Sequence, residues 1–269
     1  MRRTISATIT AALLVLGLAA CGDDDSGSAS DTLKVGVSPV PHGEILKYVK
    51  DNLAAGAGLK LEIVEFNDYV QPNVALKDKQ LDANYFQHIP YLDEEKKAKG
   101  YNFTALAPVH IEPLGVYSKK VKSLDAVPEN AVVAIPNDPS NSGRSLNLLA
   151  SKGLIKLKDG AGVKATRADI AENPKKLQFK ELEAAQLPRS LDDTTLSVIN
   201  GNYAIQTGLK PAKDALLLES GAGNPYANLV VVRAGDEDDE RVQKLEKLLH
   251  SPEVKKFIEE KYAGSVLAV

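Results

Sequence analysis

Arg144 lies in the stretch Ile135-Pro-Asn-Asp-Pro-Ser-Asn-Ser-Gly-Arg-Ser-Leu-Asn147, where the apolar run 131–135 ends in a Pro/Asn/Asp cluster and an apolar-periodic segment begins after Arg144. A planar guanidinium can hold a carboxylate through two hydrogen bonds, and the free N–H groups and dipole of a helix opening after the loop would favour an anion there. From this stretch alone, an ordinary capped helix with Arg144 in solvent reads the same way. Asn141, Asn200, Asn202, Asn224 and Asn228 fall in turn-like or strand-edge contexts, where their side-chain oxygens could accept from an ammonium without a buried counter-charge. Aromatic residues gather between Phe66 and Tyr91. Phe66 ends a run of buried character and is read as core, whereas Tyr69, Tyr85 and Phe86 stand at element ends, where rings can enclose an apolar side chain. His88 beside them, taken alone, is more often a structural hydrogen-bonder than a ligand contact. Together these residue types suit a zwitterionic amino acid with an apolar side chain.

Catalytic patterns find little support. Ser140-Asn-Ser-Gly-Arg144 is not a Gly-x-Ser-x-Gly elbow. The four His residues, at 42, 88, 110 and 250, show no metal-ligand spacing, and convergence of His88 with His110 on zinc is the one metal alternative. Asp192-Asp193 reads as a helix start and Asp23-Asp24-Asp25 as a solvated run. No cofactor motif occurs, and a formal net charge of −3 gives no reason to expect nucleic-acid binding.

The elements that must position these residues follow from periodicity. Strands are predicted over 33–37, 59–66, 81–86 and 103–111, with helices over 44–53, 70–79 and 91–99 between them. An extended segment, 112–118, follows, and the strand–helix pattern restarts at Ala131. Short strands are predicted at 177–182, 197–199 and 215–218, mixed or helical stretches at 166–173 and 192–196, and a return strand at 229–233. Two amphipathic helices, 242–249 and 253–262, close the chain behind the acidic run 236–240. This alternation implies an α/β architecture in two lobes, with ligands expected in the cleft between them. Lobe 1 is assigned to 32–114 and 229–269, lobe 2 to 115–228.

Arg2-Arg3, an apolar stretch 11–20 and a single Cys at 21 describe a secretory signal, residues 1–20, too short to span a bilayer. Leu18-Ala19-Ala20-Cys21 resembles the bacterial lipobox, in which the Cys is lipid-modified and becomes the first mature residue. Residues 21–31, polar and acidic, then form a flexible tether. Cys21 would thus anchor an extracytoplasmic body to the membrane.

Phe66-Asn-Asp-Tyr-Val-Gln-Pro-Asn73, Leu81-Asp-Ala-Asn-Tyr-Phe-Gln-His88, the 135–145 stretch, Glu183-Ala-Ala-Gln-Leu-Pro-Arg-Ser-Leu-Asp-Asp193, Val198-Ile-Asn200 and Pro225-Tyr-Ala-Asn-Leu229 resemble, in order, the NlpA/MetQ-type lipoproteins, the methionine-binding components of bacterial ABC importers. The resemblance implies a type II-like periplasmic-binding-protein fold that closes on methionine, D or L, or on a closely related amino acid. It implies a monomer that works with a membrane permease and its ATPase and performs no catalysis. It places the ligand's thioether among Tyr69, Phe86 and His88, with Tyr85 added, and the carboxylate on Arg144 with Asn141 beside it. Asn200 and Asn228 are the amide positions carried over, flanked by Asn202 and Tyr226. A methionine-containing dipeptide or another small amino acid is the alternative ligand, and a lipid-anchored enzyme the competing class. On this reading Arg144→Ala weakens binding at least about thirtyfold and leaves the melting of the ligand-free protein almost unchanged.

Overall fold

The computed structural model describes residues 31–269; the signal segment, Cys21 and all of the tether but Asp31 lie outside the described residues. In chain order the first elements are β1 (Thr32–Val37), a helical turn at Pro39–Gly43, α1 (Glu44–Val49), β2 (Lys60–Glu65), α2 (Gln71–Lys77), β3 (Ala83–His88), α3 (Ile89–Lys99) and β4 (Phe103–Ile111). There follow β5 (Gly115–Tyr117), β6 (Val132–Pro136), α4 (Pro139–Ala150), β7 (Lys156–Leu157), β8 (Ile170–Glu172), β9 (Gln178–Leu182), α5 (Leu187–Ser190), β10 (Leu196–Ile199), α6 (Gly201–Gln206), α7 (Pro211–Asp214) and β11 (Leu217–Leu218). The chain ends with β12 (Ala227–Arg233), α8 (Glu240–Leu249), α9 (Pro252–Tyr262) and β13 (Leu267–Ala268).

Two mixed sheets carry the two-lobed α/β fold. One has the order β13-β4-β12-β3-β1-β2, the other β11-β5-β10-β6-β9. β1 runs parallel to β2 and β3, and β6 parallel to β9 and β10, as strand–helix–strand crossovers require; the β3–β12, β12–β4 and β5–β10 pairs are antiparallel. Strand alternation sorts the cores. On β12, Val230 and Val232 enter the cluster covered by α1, α8 and α9, while Leu229 and Val231 face α2 and α3. On β6, Val133 and Ile135 pack with Leu146 and Leu149 of α4, and Ala134 faces Leu187 and Tyr203 on the opposite side. The chain passes from the first sheet to the second through residues 112–114 and returns through 219–226. These two connections are joined to each other, with Glu219 N donating to Leu114 O at 2.9 Å and Leu114 N to Glu219 Oε2 at 3.2 Å.

Several expectations change. The 166–173 stretch is a single helical turn, Arg167–Asp169, followed by β8, and 192–196 is a turn leading into β10, because neither is long enough to bury a helical face. β12 starts at Ala227 rather than at 229. α6 and the short α5 and α7 were not predicted. Among the described residues no helix is long and apolar enough to cross a membrane.

Candidate functional site

α4 begins at Pro139, six residues earlier than the periodicity suggested. Asp138 is its N-cap, accepting from Asn141 N at 2.9 Å, and Pro139 fills the first turn, so Arg144 projects from the helix interior. This corrects the anion-site expectation: the chain's own Asp138 carboxylate occupies the helix N-terminus. The same carboxylate accepts from Asn141 Nδ2 at 2.9 and 3.0 Å, and this fixes the orientation of that amide.

From there donor and acceptor roles propagate. Asn141 Oδ1 must face away from Asp138, where it takes Asn200 Nδ2 at 3.0 Å and His88 Nε2 at 3.2 Å. Asn200 Oδ1 is thereby left buried without a partner. Tyr69 O–H donates to Asn202 Oδ1 at 2.6 Å and leaves Asn202 Nδ2 buried and unpaired. Asn228 Oδ1 lies 3.1 Å from His42 Nε2, which turns its Nδ2 outward. A small cavity lies among these atoms, lined by Tyr69, Phe86, Gln87, His88, Glu112, Asn141, Arg144, Asn200, Gly201, Asn202 and Asn228.

Arg144 is the one cation on that wall, and it is partly engaged. Its Nε contacts Glu219 Oε1 and Oε2 at 2.9 and 3.2 Å, and its Nη2 binds Glu219 Oε2 and, at 3.0 Å, Glu112 O. Tyr226, a flanking expectation, stacks beneath the guanidinium at 4.2 Å and meets the His88 ring edge-on at 5.1 Å. Only Nη1 is left for a ligand, so the two-bond fork expected for a ligand carboxylate is taken by Glu219. The view that Arg144 could be removed without cost to the ligand-free fold gives way with it. Burial pushes the Glu219 carboxyl up, but the hydrogen bonds and charge of Arg144 outweigh this and hold it below the usual carboxylate range.

Tyr69, Phe86 and His88 form the aromatic wall, joined by Tyr91 and Tyr203. Tyr69 lies 5.9 Å from Phe86, 5.9 Å from Tyr91 and 5.1 Å from Tyr203 between ring centroids. His88 caps α3, its Nδ1 accepting from Tyr91 N at 3.2 Å, and burial lowers its pKa to about 3, with Arg144 adding to the effect, so it is a neutral donor at Nε2. Tyr85 is corrected. Its side chain enters the core under α1, α8 and α9, where its hydroxyl binds His110 Nδ1, and it does not line the cavity. Asn224 sits on the return connection, donating to Ser220 O, away from the cavity.

Sequence reasoning missed Glu112, Glu219, Asp138 and His42. Glu112 follows β4 on the first connection and is buried; its Oε1 lies 2.8 Å from His110 Nε2 and 3.2 Å from His42 Nε2, and the backbone N–H of Asn202 at the start of α6 also reaches it. Gly201 permits this approach, since a Cβ there would stand 2.7 Å from Glu112 Cβ. Burial raises the Glu112 pKa against the pull of these partners. His88 and His110 do not converge; instead His42, His110 and Glu112 form the group whose ligand atoms all lie within 4.8 Å of one another. Each Nε2 in that group already shares a proton with an oxygen, so we read it as a hydrogen-bonded cluster and not as a metal centre.

A second, larger cavity adjoins the first through Tyr69 and is bordered by Asp68, Tyr91, Asp138, Glu183 and Tyr203 among others.

The profile of the NlpA lipoprotein family matches residues 33–269. The chain is 46% identical over 250 residues to the D-methionine-binding lipoprotein MetQ of Salmonella typhimurium, covering 92% of this chain and 91% of that one. The solved structure of a nutrient-binding protein from Burkholderia cenocepacia bound to methionine is similar at 52% identity and a TM-score of 0.84, covering 88% of this chain and 99% of the other. A periplasmic substrate-binding protein of an ABC transporter from Coxiella burnetii shares 42% identity at a TM-score of 0.84, over 88% of this chain and 100% of its own.

Proposed function

Since the chain belongs to the NlpA lipoprotein family, we propose that it is the extracytoplasmic substrate-binding lipoprotein of an ABC importer, capturing methionine and delivering it to the permease. The observation that carries this reading is the polarity of the cavity wall. Arg144 Nη1, Asn202 Nδ2 and Asn228 Nδ2 offer donors to a carboxylate, while Asn200 Oδ1 and the Glu112 carboxylate offer acceptors to an ammonium. Tyr69 and Phe86 supply a surface on which a thioether sulfur makes favourable contacts. Residues 32–114 with 229–269 would form one lobe and 115–228 the other, hinging at the two joined connections. The chain would act as a monomer held to the membrane by lipid on Cys21, with a permease and its ATPase as partners. The adjoining cavity favours a second reading, in which a methionine-containing dipeptide extends past Tyr69.

Calorimetric titration of unfolded-and-refolded, ligand-free protein with L- and D-methionine, methionyl dipeptides and other small amino acids tests the proposal. Saturable binding of methionine, recovered chemically unchanged, is expected. Absence of binding across the panel would overturn it, conversion of the ligand would restore the enzyme class, and exclusive binding of dipeptides would select the second reading.

A further inference from the structure

Beneath the cavity, Tyr85, His110, Glu112 and His42 form a buried chain of hydrogen bonds that ends on Asn228. With Glu112 taken as a carboxylate, which can only accept, the polarity of the chain is set. His110 therefore presents Nε2–H to Glu112 Oε1, at 2.8 Å, and its bare Nδ1 accepts from the Tyr85 hydroxyl. His42 likewise must carry its proton on Nε2, which lies between Glu112 Oε1 at 3.2 Å and Asn228 Oδ1 at 3.1 Å. Its Nδ1, a bare acceptor in this tautomer, is buried without a partner, and the ring is fixed edge-on against Tyr85 and His110, each 4.8 Å away. An N–H pointing at Asn228 admits only one orientation of that amide: oxygen toward His42, nitrogen toward the cavity.

We propose that His42 is a positioning residue that holds the Asn228 amide with Nδ2 facing the ligand, and so makes the cavity select a carboxylate over a neutral carboxamide. The inference rests on the amino-acid-binding reading above. If His42 no longer donated, Asn228 could turn its oxygen into the cavity, where it would repel a carboxylate and accept from the –NH2 of an amide. A purely structural His42 would weaken both ligands by the same factor.

The test compares dissociation constants for methionine and methioninamide at one pH, on full-length ligand-stripped protein, with melting temperature recorded for each variant. Wild type is expected to prefer methionine. His42→Gln, whose amide nitrogen can stand near Nε2, should keep that preference within about threefold. His42→Phe, which fills the space without a donor, should reduce the preference at least about tenfold. His42→Asn, too short to reach Asn228 but still polar, should do the same and supplies the reading if the Phe variant does not fold. A preference unchanged in both short-of-donor variants, or lost equally in His42→Gln, overturns the positioning role while leaving methionine binding standing. Wild-type protein that binds neither ligand would remove the amino-acid reading and this proposal with it.

Discussion

Replacing Arg144 with Ala should separate what this side chain does for the ligand from what it does for the fold. The guanidinium and the Glu219 carboxylate are 4% and 15% exposed, and without Arg144 the carboxylate keeps the Leu114 N–H at 3.2 Å and the Asn224 side chain but no opposite charge. Breaking a buried pair costs about 3–5 kcal/mol, and the residual exposure of Glu219 argues for about 3. At roughly 2–4 °C per kcal/mol for a protein of this size, the ligand-free melting temperature should fall by about 6–12 °C. Ligand affinity should fall independently. Only Nη1 remains free, and one charge-assisted hydrogen bond is worth about 1.5–3 kcal/mol, a loss of roughly 10- to 100-fold. The double variant Arg144→Ala/Glu219→Gln removes the stranded charge, so it should recover at least half of the melting temperature and none of the affinity. Differential scanning calorimetry and titration on ligand-stripped protein read both quantities. Melting of the single variant within about 2 °C of wild type would refute the structural ion pair. Affinity that returns together with stability in the double variant would refute contact between Arg144 and the ligand.

Lowering the pH should destabilise the ligand-free protein. Burial holds His42 at about 4 and His110 and His88 at about 3, against an unfolded value near 6.5, so the unfolded chain binds more protons throughout that window. Stability is full above pH 6.5 and is lost as the pH falls, by up to about 2 kcal/mol per histidine at pH 5. Glu112 and Asp138, raised by burial, act in the opposite sense and offset part of this. Urea unfolding at pH 7.5 and 5.0 checks the sign, and equal or greater stability at pH 5.0 would contradict it. Gly143→Ala should cost about 1–3 kcal/mol, because its Cβ would stand 2.6 Å from Val163 O and 2.9 Å from Ala165 O, backbone atoms that have little room to yield; an unchanged melting temperature would show that the 163–165 turn moves aside freely. Cys21→Ser should abolish membrane attachment, seen as loss of the protein from the membrane fraction; continued retention would point to another anchor.

Much of the fold was legible where a surface is buried with a clear period. On β12, Leu229 and Val231 go to one core and Val230 and Val232 to the other. α8 and α9 begin at Asp239 and Ser251, whose side chains cap them as an acidic run and a Ser-Pro pair suggest. The start of α4 was also written in Asp138-Pro139, an N-cap followed by proline, but the polar residues behind it read as loop. α6 gave no signal, since Gly201-Asn202-Tyr203 has poor helix propensity and the element forms through packing of Tyr203 and Ala204. Tyr85 was not separable from Phe86 and His88 by alternation alone, because the β3–β12 register shifts at Phe86 and Gln87 also lines the cavity.

The candidate site was harder to read, for a physical reason. An asparagine can present either end of its amide, so Asn141, Asn200, Asn202 and Asn228 in a sequence announce hydrogen bonding but not its direction. Direction comes from carboxylates that no motif marks. Asp138 orients Asn141 and, through it, Asn200. Glu112 sets the proton of His42, which meets Asn228 across 186 positions of chain. Arg144 looked like a free fork because Glu219, 75 residues later on the return connection, had no visible relation to it. That separation also links binding to hinge geometry. Glu219, the partner of Arg144, and Glu112, the acceptor in the cavity floor, sit on the two connections that join the sheets, so rotation about the proposed hinge would alter the charge facing a ligand. On the proposed hinge motion, a ligand that neutralises these donors and acceptors would stabilise closure by as much as its affinity differs between the open and closed arrangements.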